Sequence, residues 1–212
     1  MHRDAVILFS GNARREETRK GLPPRFLGRL HEAIAETVRS VGGVDLIVVS
    51  EQIAPDRLGA RVRDELAACF DAGYANVALL AGDVVGLTRD LLGDAFAALA
   101  YAPAVVGESP DGGFYLAAFR GAPSVDWESL PWCTADMFAS LTAALGECAT
   151  LPPLRDVDSL GDAFRAVAAL LDPRVRAWLL SLLQMPVHAT SRALPSIARP
   201  RPATNLRAPP AA

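Results

Sequence analysis

The sequence predicts an α/β fold in which a mostly parallel sheet is covered by helices. Short apolar runs rich in β-branched residues, each too short for a helix, alternate with longer segments whose apolar residues recur every three or four positions. Strands that alternate with helices form right-handed βαβ units, and such units build a parallel sheet. The length of 212 residues fits one domain of this kind, or one domain with an appendage.

Each element has its own local signal. Apolar runs predict strands at residues 5–9, 44–49, 77–82, 104–107, 114–119 and, as a short edge strand, 149–151. Amphipathic spacing predicts helices at residues 25–41, 55–72, 89–100, 135–145, 160–171 and 173–184. Helix N-caps are predicted at Thr88, Thr134 and Ser159, because a side-chain hydroxyl can accept a free backbone N–H. Ser159 and Asp162 also have capping-box spacing.

Three polar connections interrupt the pattern. Residues 10–24 are predicted to form a mixed-charge loop after the first strand, and residues 155–159 (RDVDS) a second loop. The PDGG sequence at residues 110–113 separates two strands and is consistent with a hairpin. A hairpin there would add an antiparallel excursion near Phe114 and make the sheet mixed.

Composition restricts the class of protein. The net charge of −3 and a pI near 5.6 argue against a nucleic-acid binder, and no apolar run is long enough to span a membrane. Without a signal-peptide pattern, a cytoplasmic location is expected. The Pro-, Ala- and Arg-rich residues 186–212 are predicted to be a disordered tail. The helix at 172–185 is left open to pack on the domain, on a second copy or on a pathway enzyme.

Asp83 is the first candidate functional residue. It follows the buried strand at residues 77–82, and open α/β sheets bind ligands beyond the carboxyl ends of their strands. Carboxylate oxygens suit Mg²⁺ or Mn²⁺, which also bridge diphosphate oxygens. Spacing alone leaves an equal alternative, in which Asp83 caps the following turn.

Three further stretches could carry chemistry, and each has a structural alternative. Gly112 and Gly113 allow close approach to a ligand, although a plain hairpin turn is favoured. The two carboxylates within residues 155–158 offer a second metal ligand or helix capping. The cations of residues 14–20 could hold phosphates, or form a solvated loop whose charge Glu16 and Glu17 largely offset.

Ordered motifs connect these stretches to a known family. The motifs are Glu17-Thr18-Arg19, LGAR at 58–61, ALLAGDVVGL at 78–87, GESPDGGFYLAAF at 107–119, LPWCT at 130–134 and LRDVDSLGDA at 154–163. Together they resemble a small bacterial glycosyltransferase family of GT-A fold, described as arsenosugar-biosynthesis or radical-SAM-associated. That family is related to the molybdenum-cofactor and phospholactate nucleotidyltransferases.

The resemblance implies a Rossmann-like three-layer αβα sandwich of the GT-A (nucleotide-diphospho-sugar transferase) type over residues 1–171. It implies a transferase that uses Mg²⁺ or Mn²⁺, a nucleotide-sugar donor and a small-molecule acceptor. The alternatives are a nucleotidyltransferase acting on a small phosphorylated acceptor and a catalytically degenerate protein that binds a nucleotide or a partner.

The resemblance also implies roles for individual residues. Asp83 and Asp158 fall on metal-ligand positions, and Asp83 and Asp111 are the expected catalytic residues. The residues expected to bind the nucleotide or its phosphates are Ser10, Gly11, Thr18, Arg19, Lys20, Gly82, Gly112 and Gly113. The first loop departs from the family pattern, since Glu17 stands where the family often has Lys. Lys20 is the cation that could substitute for it.

Overall fold

The computed structural model describes residues 3–168 and the isolated positions 177 and 181. Apart from those two positions, the predicted helix at 173–184 lies outside the described residues, and so does the whole predicted tail at 186–212. None of the helices that are described is both long and apolar enough to cross a membrane.

Eight strands and six helices make up the described fold. The strands are β1 (Arg3–Phe9), β2 (Val44–Val49), β3 (Tyr74–Ala81), β4 (Val84–Val85), β5 (Ala104–Glu108), β6 (Phe114–Arg120), β7 (Ala149–Leu151) and β8 (Arg155–Asp156). The helices are α1 (Ala13–Lys20), α2 (Phe26–Ser40), α3 (Pro55–Asp71), α4 (Arg89–Ala98), α5 (Met137–Leu145) and α6 (Leu160–Ala168). The six predicted strands are all present, within three residues of their predicted bounds.

The main sheet is mixed, as the hairpin signal indicated. Its six strands lie in the order β2-β1-β3-β6-β5-β7, and only β6 runs against the others. The β5–β6 hairpin and the edge position of β7 are therefore confirmed. Strands β4 and β8 pair separately as a small antiparallel ribbon.

Helices cover both faces of the sheet, which confirms the three-layer sandwich. On β1, Val6 and Leu8 pack in a cluster with apolar residues of α2, α4 and α6, while Ile7 packs on the opposite face with residues of α3 and α5. Residues 77–80 of β3 are at most 2% exposed, because both faces of this strand are covered. The sheet thus holds the carboxyl ends of β1 and β3 side by side.

The predicted loop at residues 10–24 contains a helix, α1, so that prediction is wrong. The helix has no apolar stripe for periodicity to detect. It is held instead by the Asn12 side chain, which accepts from the N–H of Arg15 at 3.1 Å, and by left-handed Gly21 at its end. Exposed ion pairing between Arg19 and Glu16 adds to it.

Two further local predictions are corrected. The helix predicted to start after Thr134 begins at Met137, because the Thr134 hydroxyl accepts from the N–H of Asp136 in a turn that precedes the helix. The predicted loop at residues 155–159 begins with strand β8, which pairs with β4 across a long sequence separation. Predicted caps at Thr88 and Ser159 are confirmed by hydroxyls that accept backbone N–H groups at 3.1 Å.

Candidate functional site

A cleft of about 780 Å³ opens at the edge where β1 and β3 end and β6 begins. A smaller cavity of about 210 Å³ adjoins it beyond the ends of β1 and β2. Because β6 is reversed, its first residue, Phe114, reaches the same edge as the last residues of its parallel neighbours. The turn before Phe114 is thereby delivered to the cleft.

A buried lysine joins two of the predicted site carboxylates. The Lys20 ammonium lies 2.7 Å from Asp83 Oδ2 and 3.0 Å from Asp158 Oδ1, and it donates to the carbonyl oxygen of Val157 at 2.7 Å. The Lys20 side chain is only 3% exposed, whereas the side chains of Asp83 and Asp158 are 32% and 52% exposed. The predicted pair of metal ligands is therefore brought together, with an ammonium group between the two carboxylates.

Electrostatics keep Lys20 charged despite its burial. Burial alone would lower the pKa of Lys20, but the charges and hydrogen bonds of Asp83 and Asp158 outweigh that cost and raise the pKa above its usual value. An ammonium group has three N–H donors, and here three acceptors surround it. The turn-capping alternative for Asp83 thus gives way to an ion pair with Lys20.

Asp158 also belongs to an acidic trio, which it forms with Asp111 and Asp156. One oxygen from each lies within 4.8 Å of the others, a spacing at which the three could hold a metal ion. Burial, followed by repulsion from Asp111, Asp83 and Asp158, raises the pKa of Asp156 to about 7. The local negative charge is therefore poorly compensated at Asp156.

The hairpin turn that carries Asp111 has little freedom. Gly112 has a φ of +90°, and a Cβ atom at this position would lie 2.0 Å from the carbonyl oxygen of Ala135. The Gly112 carbonyl accepts from the N–H of Phe138 at 2.8 Å, which ties the turn to the start of α5. The Asp111 carboxylate accepts from the N–H of Gly113 at 3.0 Å. Two glycines and one helix start thus fix where Asp111 lies.

The β4–β8 ribbon positions the other two members of the acidic trio. Asp156 pairs with Val84, and the N–H of Val157 donates to the carbonyl of Asp83 at 3.0 Å. Side chains alternate along an extended chain, so Asp156 and Asp158 share one side while fully buried Val157 takes the other. The spacing of two residues is what brings both carboxylates to the cleft.

The charged residues of α1 have two different roles. Glu17 is buried and accepts from the N–H groups of Arg25 and Leu27, at 3.0 and 2.8 Å, at the start of α2. It therefore caps α2 and points away from the cleft. Arg15 and Arg19 line the cleft, and Arg19 remains 63% exposed while paired with Glu16.

The remaining predicted nucleotide-binding residues are distributed unevenly. Ser10, Gly11 and Gly82 line the smaller cavity, and Gly113 lines the larger cleft. Neither cavity has Thr18 among its lining residues; its hydroxyl donates to the carbonyl of Arg14 at 3.0 Å. Gly112 shapes the turn beneath the cleft.

An aromatic wall faces the charged side of the cleft. Trp132 and Phe114 both line it, with their rings 6.1 Å apart in an edge-to-face arrangement. The indole N–H of Trp132 donates to the carbonyl of Trp127 at 2.7 Å, and Gly59 of α3 leaves room for this contact. The cleft therefore combines a charged side with an apolar, aromatic side.

Two functional candidates were missed by sequence reasoning as individual residues. Asp156 belongs to the RDVDS stretch, and its spacing of two from Asp158 was the available signal. Gln52 lines both cavities and donates to Glu16 at 3.2 Å, but a lone Gln after a strand carries no sequence signal.

Known structures share this fold. A candidate nucleotide-diphospho-sugar transferase from Desulfovibrio desulfuricans G20 superposes with a TM-score of 0.68 at 19% identity, covering 86% of this chain and 97% of its own. Rv0371c from Mycobacterium tuberculosis H37Rv superposes with a TM-score of 0.50 at 17% identity, covering 79% of this chain and 98% of its own. At such identities the comparison establishes a fold of the GT-A-like nucleotide-sugar transferase type.

No curated protein matches the chain at a significant level. A family profile described as an uncharacterized protein conserved in bacteria (DUF2064) matches residues 29–134, half of the chain. The matched segment contains Asp83, Asp111 and the turn between β5 and β6. The chain therefore belongs to the DUF2064 family.

Proposed function

We propose that this protein is a metal-dependent transferase that moves a group from a nucleotide-diphospho-sugar to a small-molecule acceptor. The observation that carries the proposal is the acidic trio, which lies beside arginines in a cleft at the carboxyl edge of the sheet. The candidate transferase from Desulfovibrio has the same fold, which supports the reaction class.

The acidic trio suits a hard divalent cation. Asp111, Asp156 and Asp158 offer only carboxylate oxygens, the donors that Mg²⁺ and Mn²⁺ prefer. Burial and repulsion at Asp156 are costs that a bound cation would relieve. When bound, the ion supplies Lewis-acid stabilisation of charge on a leaving diphosphate.

Arginines are the better candidates for contacting the phosphates. The Lys20 donors are taken up by Asp83, Asp158 and Val157, whereas Arg19 and Arg15 line the cleft with their guanidinium groups near solvent. A guanidinium group can hold two phosphate oxygens at once. On this proposal Lys20 organises carboxylates, and the arginines bind the donor.

The four carboxylates then have different roles. Asp83 is a positioning residue, because its charge is directed to Lys20. Asp111 lies on the same hairpin as Phe114 of the aromatic wall, three residues before it. We assign Asp111 to the metal and to the acceptor side, and the aromatic wall to an apolar face of the acceptor or sugar. The arsenosugar-biosynthesis or radical-SAM-associated subtype remains part of this proposal.

Calorimetric titration tests the proposal. UDP-, GDP-, dTDP- and CDP-sugars, together with GTP and CTP, are titrated with and without Mn²⁺ into the wild-type chain and the Asp156→Asn variant. Mn²⁺-dependent binding of a nucleotide sugar that is lost in Asp156→Asn supports the transferase. Preferred binding of a nucleoside triphosphate supports the nucleotidyltransferase alternative, and a folded protein that binds no nucleotide contradicts both.

A matched control is the Asp71→Asn variant. Asp71 is an exposed carboxylate at the end of α3, at the edge of the sheet opposite to the cleft. The Asp71→Asn substitution changes the net charge by the same amount as Asp156→Asn. Loss of Mn²⁺-dependent binding in both variants would point to bulk charge and would contradict a role for the acidic trio.

A further inference from the structure

Lys20 has the surroundings of a bound cation. Its ammonium group lies among oxygen atoms from three places: the Asp83 carboxylate after β3, the Asp158 carboxylate after β8 and the Val157 carbonyl between them. The ion-pair and hydrogen-bond distances are 2.7, 3.0 and 2.7 Å. These oxygen atoms are the kind of hard ligand that a divalent ion would also take.

Asp158 is shared between this position and the acidic trio. Its Oδ1 contacts Lys20, and it also belongs to the group of three carboxylates that could hold a metal ion. Two cation positions therefore lie next to each other and have one carboxylate in common. Sites that hold two metal ions have this arrangement, in which a ligand joins the two positions.

We propose that the Lys20 ammonium group is a built-in cation that occupies the position between Asp83 and Asp158 and limits the site to one metal ion. The burial of Lys20 supports this, because its side chain is only 3% exposed. A metal ion could not displace the ammonium group without breaking its two ion pairs. Lys20 is then a positioning residue that holds Asp158 beside Asp111 and Asp156. This inference rests on the proposed function only in taking the acidic trio as the metal position.

Glu17 explains why the cation stands at residue 20. Residue 17 lies one helical turn earlier on α1, and its carboxylate is used at the start of α2, where it accepts from Leu27 and Arg25. A lysine at position 17 would be directed toward those N–H groups. Lys20, at the last position of α1, points instead to the two carboxylates across the edge of the sheet.

The test is the number of Mn²⁺ ions bound by nucleotide-free protein, measured by titration calorimetry and by electron paramagnetic resonance of free Mn²⁺. Wild type should bind one ion. Lys20→Ala removes the charge and vacates the space, so it should bind two. Lys20→Met also removes the charge, but its methyl group ends one bond short of the ammonium position and blocks it, so it should bind one.

A double variant locates the second ion. Lys20→Ala with Asp83→Asn should return to one ion, because Asp83 is a ligand of the vacated position only. If Lys20→Ala binds a single ion while wild type also binds one, the built-in cation is overturned and the proposed metal site stands. If wild type binds none and Lys20→Ala binds one, the acidic trio fails as a metal site, the limit of one ion is overturned, and only the placement of the Lys20 ammonium group in a cation position stands.

Thermal unfolding covers the case in which Lys20→Ala folds poorly. Without metal, both Lys20 variants should be less stable than wild type, because each leaves Asp83 without its counter-ion. Saturating Mn²⁺ should raise the melting temperature of Lys20→Ala by about 5–10 °C more than that of Lys20→Met. Equal responses of the two variants to Mn²⁺ would overturn the proposal.

Discussion

Two groups of carboxylates lie side by side at the edge of the sheet and differ in how their charge is balanced. Asp83 is paired with the buried Lys20 ammonium at 2.7 Å. Asp111 and Asp156 take part in no ion pair within the described part of the chain, and the pKa of Asp156 rises to about 7 because of burial and neighbouring carboxylates. Asp158 belongs to both groups.

Acidic residues that lie side by side at one edge of a sheet need not have the same role. A carboxylate that already has a buried counter-ion gains little from a metal ion, while one that is repelled by its neighbours gains much. Lys20 therefore decides which of the four carboxylates are left for a metal. Substitutions of the paired carboxylate and of the repelled carboxylates should therefore change stability and metal binding in different ways.

The largest effect is expected for Gly112→Ala, in the turn that presents Asp111. The new Cβ would meet the carbonyl of Ala135 at 2.0 Å, and the φ of +90° is unfavourable for alanine. The free energy of unfolding should fall by about 3 kcal/mol, measured by urea denaturation. Gly121→Ala is the matched control, because Gly121 has a φ of +76° but nothing within 4 Å. Equal losses in both variants would mean that the contact with Ala135 is unimportant.

Asp83→Asn changes the carboxylate that is paired with Lys20. The amide can still accept one hydrogen bond from Lys20, but the ion pair is lost while Asp158 remains as a partner. Without metal, the free energy of unfolding should fall by about 2 kcal/mol in urea denaturation. Unchanged stability would show that the Lys20–Asp83 ion pair contributes nothing net.

Asp156→Asn should raise the free energy of unfolding, because it changes a carboxylate that is repelled by its neighbours. An amide removes a half-buried charge that is repelled by Asp111, Asp83 and Asp158. In metal-free buffer near pH 8, the free energy of unfolding should rise by about 1 kcal/mol. Added Mn²⁺ should then stabilise the variant less than wild type. A loss of stability without metal would contradict the proposed imbalance.

The smallest effect concerns His31, whose ring lies near Gly82. Burial, and to a lesser extent Lys20, lower the pKa of His31, with Asp83 acting against them. The folded state therefore favours the neutral ring, so the stability that it contributes is present above the unfolded pKa of about 6.5 and is lost as the pH falls below that value. His31→Gln should flatten this acid limb in urea denaturation curves. An identical pH dependence in both proteins would contradict the shift.

Much of the fold was predictable because its signals are local. The strand at residues 77–82 and the helix that begins at Pro55 are short apolar or amphipathic segments, and the structure has them within a few residues. Helix α1 was missed because ARREETRK has no apolar face, and β8 was missed because its partner is 70 or more residues away in sequence. Pairing over such distances leaves no local pattern.

The sequence segments that form the site were predictable, but the contacts between their side chains were less so. The sequence singles out Asp83, Asp111 and Asp158, and the structure brings all three to one cleft. It does not tell that Lys20 lies between two of them or that Glu17 turns away to cap α2. Those contacts depend on how α1 is oriented over the edge of the sheet.

The stacked indoles of Trp127 and Trp132 form a fluorescent pair at the cleft. Their rings lie 6.3 Å apart at 29°, one buried in the core and the other at the cleft wall. Excitation of the buried ring can pass to its neighbour, whose emission depends on what fills the cleft. With Trp178 replaced by Phe to remove background, ligand entry becomes measurable by intrinsic fluorescence without any label.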